Sequence, residues 1–257
     1  MKTAHRNSSL DEGRSLAQLR GRPVVDFFPQ LCRLRPEIAE LRFETFKPRP
    51  GIDERLGALL LNNSGIKNGI EEIRATASVP LWDAVACHCM SNGTISDEIV
   101  HTALLHEPNP TTITTPLSAQ SIIEGDLAAL SKRAINDDSI AVCSKVRLLS
   151  GVEAHIPMLD FRCPVSDSNS EAILRMLQHL GEGTGLLVAS GRSYHYYGVA
   201  LYEESRWLEF MAKALLLRPI TDDRFIAHRI IDGQCRLRIY SPSRPVPVII
   251  GALHNAG

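Results

Sequence analysis

Ser190-Gly191-Arg192-Ser193-Tyr194-His195-Tyr196-Tyr197-Gly198 is the stretch on which the fold of the second half turns. The uninterrupted apolar run Gly185-Leu186-Leu187-Val188-Ala189 precedes it and predicts a short buried strand over 186–190. A second strand is expected over 196–201, with the polar group in the turn between them. That turn gathers hydroxyls, an arginine, a histidine and tyrosines. Such groups suit a phosphate, with the tyrosines available to stack on a base, better than they suit a core.

Working outward, helices are expected on both sides of this unit. Residues 166–180 carry Ile173, Leu174, Leu177 and Leu180 at helical spacing, with Ser168 or Ser170 as cap. Residues 203–217 carry Trp207, Phe210, Met211 and Leu215 likewise. Short strands are predicted over 140–143, 146–149 and 154–161. A β-hairpin is predicted from 225–231 and 235–240, turning at Asp232-Gly233. Its strand alternation would set Arg236 with Arg238, and Arg224 with His228, as a basic face for a nucleic-acid backbone.

The first half reads differently. Pro36 at a first helical position predicts a helix over 36–41. Further helices are expected over 53–61, 66–76, 80–90 and 96–106, with Ile66, Ile70 and Ile73 marking the third of these five. Pro108, Pro110 and Pro116 mark 107–116 as a linker, and 118–134 again reads as helix, ended by Asn136-Asp137-Asp138. The expected architecture is α+β: a helical region over 1–117, then a domain over 118–257 with a mixed or antiparallel sheet flanked by helices. The linker also fits a surface loop within one compact body.

Composition limits the function classes. The chain has 257 residues, 44% of them hydrophobic, enough for a full core. Lys+Arg number 28 against Asp+Glu 29, so only a local basic patch can speak for nucleic acid. No apolar run is long enough to span a membrane, and residues 1–20 lack the apolar segment of a signal peptide. With six scattered cysteines and no Cys-x-x-Cys, free thiols in a reducing cytoplasm are the expectation. Cys87-His88-Cys89 invites a metal reading, but on a helix its thiols would point about 200° apart.

Two acidic points flank the opening stretch in sequence. Asp160 closes His155-Ile156-Pro157-Met158-Leu159-Asp160, and Asp222-Asp223 follows Pro219-Ile220-Thr221. An apolar–Asp segment, a Ser-x-His (Ser193-Tyr194-His195) and a second apolar–Asp segment, in that order, resemble the motifs of the archaeo-eukaryotic primase superfamily. The resemblance covers about 139–250, and the stretch from Asp223 to Ile239 is similar to small bacterial primase-like members. It implies a primase-like fold and binding of nucleoside triphosphate and of DNA or RNA. Asp160, Asp222 and Asp223 would hold Mg2+ or Mn2+ as the catalytic acids of nucleotidyl transfer, while Ser190, Arg192, Ser193 and His195 would bind phosphate. Arg224, His228, Arg236 and Arg238 would meet nucleic acid, and the helical region 1–117 would offer a protein partner a docking surface.

This chain departs from the superfamily pattern at one position. The residue two after Asp160, an acid in that pattern, is Arg162. At 4 Å and an effective dielectric constant of 20, one unit-charge contact amounts to about 4 kcal/mol, so an arginine there opposes a divalent cation strongly. The alternative function is therefore a catalytically silent primase-fold subunit that binds nucleotide or nucleic acid. A metal-dependent phosphoesterase or nuclease on His155, Asp160, His195 and His228 uses the same residue types, without a His-x-Asp or His-x-x-x-His spacing.

Overall fold

The computed structural model describes residues 12–47, 64–77, 79–93, 97–104, 112–133, 138–218 and 220–254. Expectations on 53–61, on 107–111, on Asn136-Asp137 and on Pro219 lie outside them. The chain forms two compact units, one made of 1–47 with 111–257, the other of 48–110. The fold is α+β with two antiparallel sheets, both in the first unit.

The first unit opens with a helix at 12–17 and α1 (Phe27–Leu34), followed by β1 (Ile38–Phe46). Here the helix expected at 36–41 is corrected. Ile38, Leu41 and Phe43 are buried, and the run Leu41-Arg42-Phe43-Glu44-Thr45-Phe46 has the β-branched and aromatic alternation that sheet packing rewards. The proline that would open a helix instead stands just ahead of a strand.

In the second unit, α2 (Ser64–Ala77), α3 (Leu81–Asn92) and α4 (Asp97–Leu104) pack around Ile70, Ala84, Val85, Cys89 and Ile99. Helices α2 and α3 approach so closely that a Cβ on Gly69 would lie 2.4 Å from the His88 ring. Cys87 is exposed and Cys89 buried, the divergence that helical geometry dictates.

The chain returns as β2 (Ile113–Ser118), so part of the expected linker is a strand, pairing with β1 from Glu40↔Ser118 to Thr45↔Ile113. Ser118 then caps α5 (Ala119–Glu124) by accepting from the Ser121 N–H. Gly125, at φ 105, separates α5 from α6 (Asp126–Arg133), dividing the single helix expected there.

The first sheet is organised by one strand run, β3 (Ser139–Cys143) and β4 (Lys145–Leu148). One edge pairs with β1, from Phe46↔Ser139 to Ile38↔Leu148. The other edge is shared by β5 (Glu153–His155) and, returning late in the chain, β9 (Arg236–Tyr240). Ser144 sits at the fork. Its N–H donates to the Cys235 carbonyl at 2.9 Å and its carbonyl accepts from the Ile156 N–H at 2.8 Å. Its hydroxyl oxygen accepts from the Cys235 N–H at 2.8 Å and lies 3.2 Å from His155 Nδ1.

The apolar run expected as one strand over 154–161 is two. After β5 the chain crosses at Ile156-Pro157 into the second sheet as β6 (Met158–Asp160). Proline cannot donate to a ladder, and the sheet changes there. The second sheet runs β10 (Val248–His254), β7 (Thr184–Ala189), β8 (Tyr194–Gly198), β6. Gly185 in β7 lies close against Tyr196: a Cβ there would stand 2.5 Å from the Tyr196 ring.

Helix α7 (Asp167–His179) is capped by Ser166, not by Ser168 or Ser170: its side chain accepts from the Asn169 N–H. Trp207, Phe210, Met211 and Ala214 of α8 (Glu204–Leu215) face the core, whereas Leu215 is exposed. The expected hairpin is corrected most. Residues 225–231 lie in a helix, α9 (Asp223–Asp232), and only 236–240 are strand. Asp222 caps this helix, its carboxylate accepting from the Phe225 N–H at 2.8 Å, and Gly233, at φ 67, closes it.

Candidate functional site

The β6–β8 register sets Asp160 directly opposite His195. Beyond β6 the ladder continues irregularly: Phe161 bridges Thr221, the Arg162 N–H donates to the Ile220 carbonyl at 2.9 Å, and the Asp222 N–H donates to the Asp160 carbonyl at 3.0 Å. Backbone pairing thus carries the acid that ends β6 to the acid that caps α9. The hairpin turn Ser190–Ser193 is closed by the Ser190 N–H and hydroxyl, both donating to the Ser193 carbonyl, with Gly191 at φ 125. Arg238 of β9 spans to this turn and donates to the carbonyls of Ser190 and Pro245.

Asp160, His195, Asp222 and Arg238 therefore form one electrostatic group. Burial, and then the like charge of Asp222, push the Asp160 carboxyl up to about 7 against the pull of Arg238 and Arg162. Its Oδ1 is sealed and has no hydrogen-bond partner, although 28% of the side chain is accessible. His195 Nε2 lies 3.7 Å from that oxygen. Burial, then Arg238, push His195 down to about 3, so the imidazole is neutral. Behind it the Tyr197 hydroxyl is 3.4 Å from His195 Nδ1.

Asp223 is turned elsewhere. Its Oδ1 is 2.7 Å from Arg162 Nη2, and its Oδ2 is 3.3 Å from Arg218 Nε. The same Arg162 nitrogen lies 3.5 Å from Asp222 Oδ1. Two of the three acids expected to hold Mg2+ or Mn2+ are thus paired with guanidinium groups. That leaves Asp160 as a lone carboxylate, which does not fit a two-acid divalent site. Among the described residues no group of three or more His, Cys, Asp or Glu is arranged to hold a metal ion.

The remaining expected residues fall as follows. Arg192 is exposed at the turn, whereas Ser190 is buried within it. Arg224 and His228 share a face of helix α9, 3.4 Å apart, rather than a hairpin strand. Arg236 is engaged with Glu44 and Asp232, both at 2.7 Å. Tyr194, Tyr196 and Tyr197 are fully buried, so none stacks on a base: Tyr194 donates to the Ser166 carbonyl at 2.7 Å and Tyr196 to the Glu182 carboxylate at 2.8 Å. His155 belongs to the fork, stacked on Trp207 at 4.4 Å, which removes it from any shared site with His195. Sequence reasoning did not anticipate that Arg162 pairs with Asp222 and Asp223. The stretch after Asp222-Asp223 was expected as a strand, so the cap that Asp222 makes was not read either.

Two open clefts lie elsewhere in this unit. One, about 460 Å³, is lined by Arg22, Gln30 and Arg33, and the other, about 510 Å³, by Tyr202, Arg206 and Lys213. Neither contains a residue of the Asp160 group.

Residues 121–248 match the family described as Archaeo-eukaryotic primase 1D-like, so this part of the chain is primase-like. The match spans Asp160, Ser193-Tyr194-His195 and Asp222-Asp223. No curated protein and no solved structure matches the chain. No described helix is long and apolar enough to cross a membrane.

Proposed function

We propose that the primase-like domain binds nucleoside triphosphate and nucleic acid through their phosphates, without polymerising them. The observation that carries this reading is the meeting of Asp160, His195, Asp222 and Arg238 at one edge of the second sheet, beside the turn that exposes Arg192. Arg238 and Arg192 supply the attraction for phosphate oxygens, and arginine suits that geometry. Neutral His195 adds no charge of its own and backs Asp160. Arg224 and His228 on α9 extend the basic surface for DNA or RNA. The silent reading is favoured over nucleotidyl transfer because Arg162 takes the place of the second acid and engages Asp222 and Asp223.

Calorimetric titration with ATP and with a short single strand tests it. Arg192→Ala, at an exposed position, is expected to weaken both by about tenfold with an unchanged melting temperature, about 1.4 kcal/mol. His195→Ala is expected to weaken ATP binding as well. Metal-dependent primer extension by the purified chain would replace this reading with nucleotidyl transfer.

A further inference from the structure

We infer that Arg162 is the resident cation of this site, so that phosphate recognition here is carried by arginine charge and is indifferent to divalent metal. The inference rests on the nucleotide reading above. Arg162 stands two residues past Asp160, and its side chain is only 17% exposed. Its guanidinium reaches Asp223 at 2.7 Å and Asp222 at 3.5 Å, and Arg218 reaches Asp223 from another side at 3.3 Å. The acids are held in place by backbone, through the Arg162 N–H to Ile220 and the Asp222 N–H to Asp160. Asp222 also accepts from the Phe225 N–H at 2.8 Å.

A divalent ion takes carboxylate oxygens at about 2.0–2.6 Å. To reach Asp222 or Asp223 it would have to expel a guanidinium already in contact. A guanidinium, unlike a metal, is covalently tethered and cannot be removed by a chelator. It cancels the acids that would repel a triphosphate, while Arg238, anchored on the Ser190 carbonyl, and exposed Arg192 provide the attraction. An acid at position 162 would reverse this. It would join Asp160 and Asp222 as a carboxylate set that needs a metal to be tolerated at all.

The test uses the full chain, ATP and inorganic tripolyphosphate as probes, and Mn2+ alone followed by electron paramagnetic resonance. Wild-type affinity for both probes is expected to change less than about threefold between EDTA and manganese. Arg162→Asp is expected to bind Mn2+ at least about tenfold more tightly than wild type, and its ATP binding is expected to become manganese-dependent. Arg162→Lys keeps the charge and is expected to stay metal-indifferent. It carries the test if the aspartate variant fails to fold. A tenfold gain in wild-type ATP affinity on adding manganese overturns the inference, as does a folded Arg162→Asp chain that takes no more Mn2+ than wild type. If wild type binds neither probe in either buffer, the nucleotide reading falls, while the manganese titration still decides whether Arg162 stands in for a metal.

Discussion

Replacing Asp222 separates two roles that a single acid plays here. Its carboxylate caps α9 through the Phe225 N–H at 2.8 Å and lies 3.5 Å from Arg162. Asparagine caps as well as aspartate, and alanine does not cap at all. Asp222→Ala therefore loses the cap, about 1 kcal/mol. It also loses a share of a part-exposed ion pair, about 0.5 kcal/mol or less, because Arg162 retains Asp223 at 2.7 Å. Asp222→Asn loses only that share and a few tenths of helix-dipole stabilisation. For a body of this size each kcal/mol moves the melting temperature by about 2–4 °C. Alanine should lower it by about 2–6 °C and asparagine by about 3 °C or less. Urea denaturation, read by circular dichroism, checks the ordering. Equal losses for the two variants, or no loss for alanine, would refute the capping argument and with it the account of how β6 and α9 are joined.

Three further substitutions probe the frame. Ser144→Ala strands the buried Cys235 N–H and deprives His155 Nδ1 of its partner, so a loss of about 2–4 kcal/mol is expected in urea. A loss under about 0.5 kcal/mol would remove Ser144 as the pin of the fork. Gly185→Ala forces a Cβ to 2.5 Å from the fully buried Tyr196 ring, and a cost of about 1–3 kcal/mol is expected, relieved by Tyr196→Ala in a double-mutant cycle. His155, pushed down to about 4 by burial and then by Lys145, stays neutral in the fold where the unfolded chain takes a proton below about 6.5. Stability is then whole above about pH 6.5 and falls as pH drops towards 4, by about 3 kcal/mol at most. His155→Gln should flatten that part of the pH–stability curve, and an unchanged curve would exclude His155 as its source.

Much of the second half was legible because burial patterns there are one-sided or complete. The run Leu186-Leu187-Val188 is buried on both faces and reads as a strand without help, and Ile173 and Leu177 betray α7 by spacing alone. The errors share a physical cause. Residues 36–41 and 223–232 are short, amphipathic and compatible with either period, so the choice falls to tertiary pairing. β1 is a strand because β2 and the β3–β4 run lie along its two edges, and both follow it in sequence by many residues. The ordered motif of Asp160, His195 and Asp222 was readable from residue types, and the fold brings its members together. What no local pattern carried was direction: the tyrosines of β8 all point into the core, and Asp223 points to Arg162 rather than to Asp160.

The ladder itself explains why an arginine is tolerable, even required, at 162. Hydrogen bonds from Asp222 to Asp160 and from Arg162 to Ile220 bring two carboxylates together by backbone, whatever their side chains prefer. Burial first, and then the like charge of Asp222, raise the Asp160 carboxyl. Residues two apart along an extended strand share a face, so the side chain at 162 is the nearest place from which the sequence can answer that repulsion. A superfamily member with an acid there increases the repulsion and leaves its relief to a metal. This chain answers with a guanidinium 2.7 Å from Asp223 and 3.5 Å from Asp222, and with Arg238 within electrostatic reach of Asp160. In the proposed function, phosphate binding and fold stability draw on the same fixed charges. Removing Arg162 without adding an acid should weaken both together, which distinguishes a built-in counter-charge from a surface residue that happens to lie near the site.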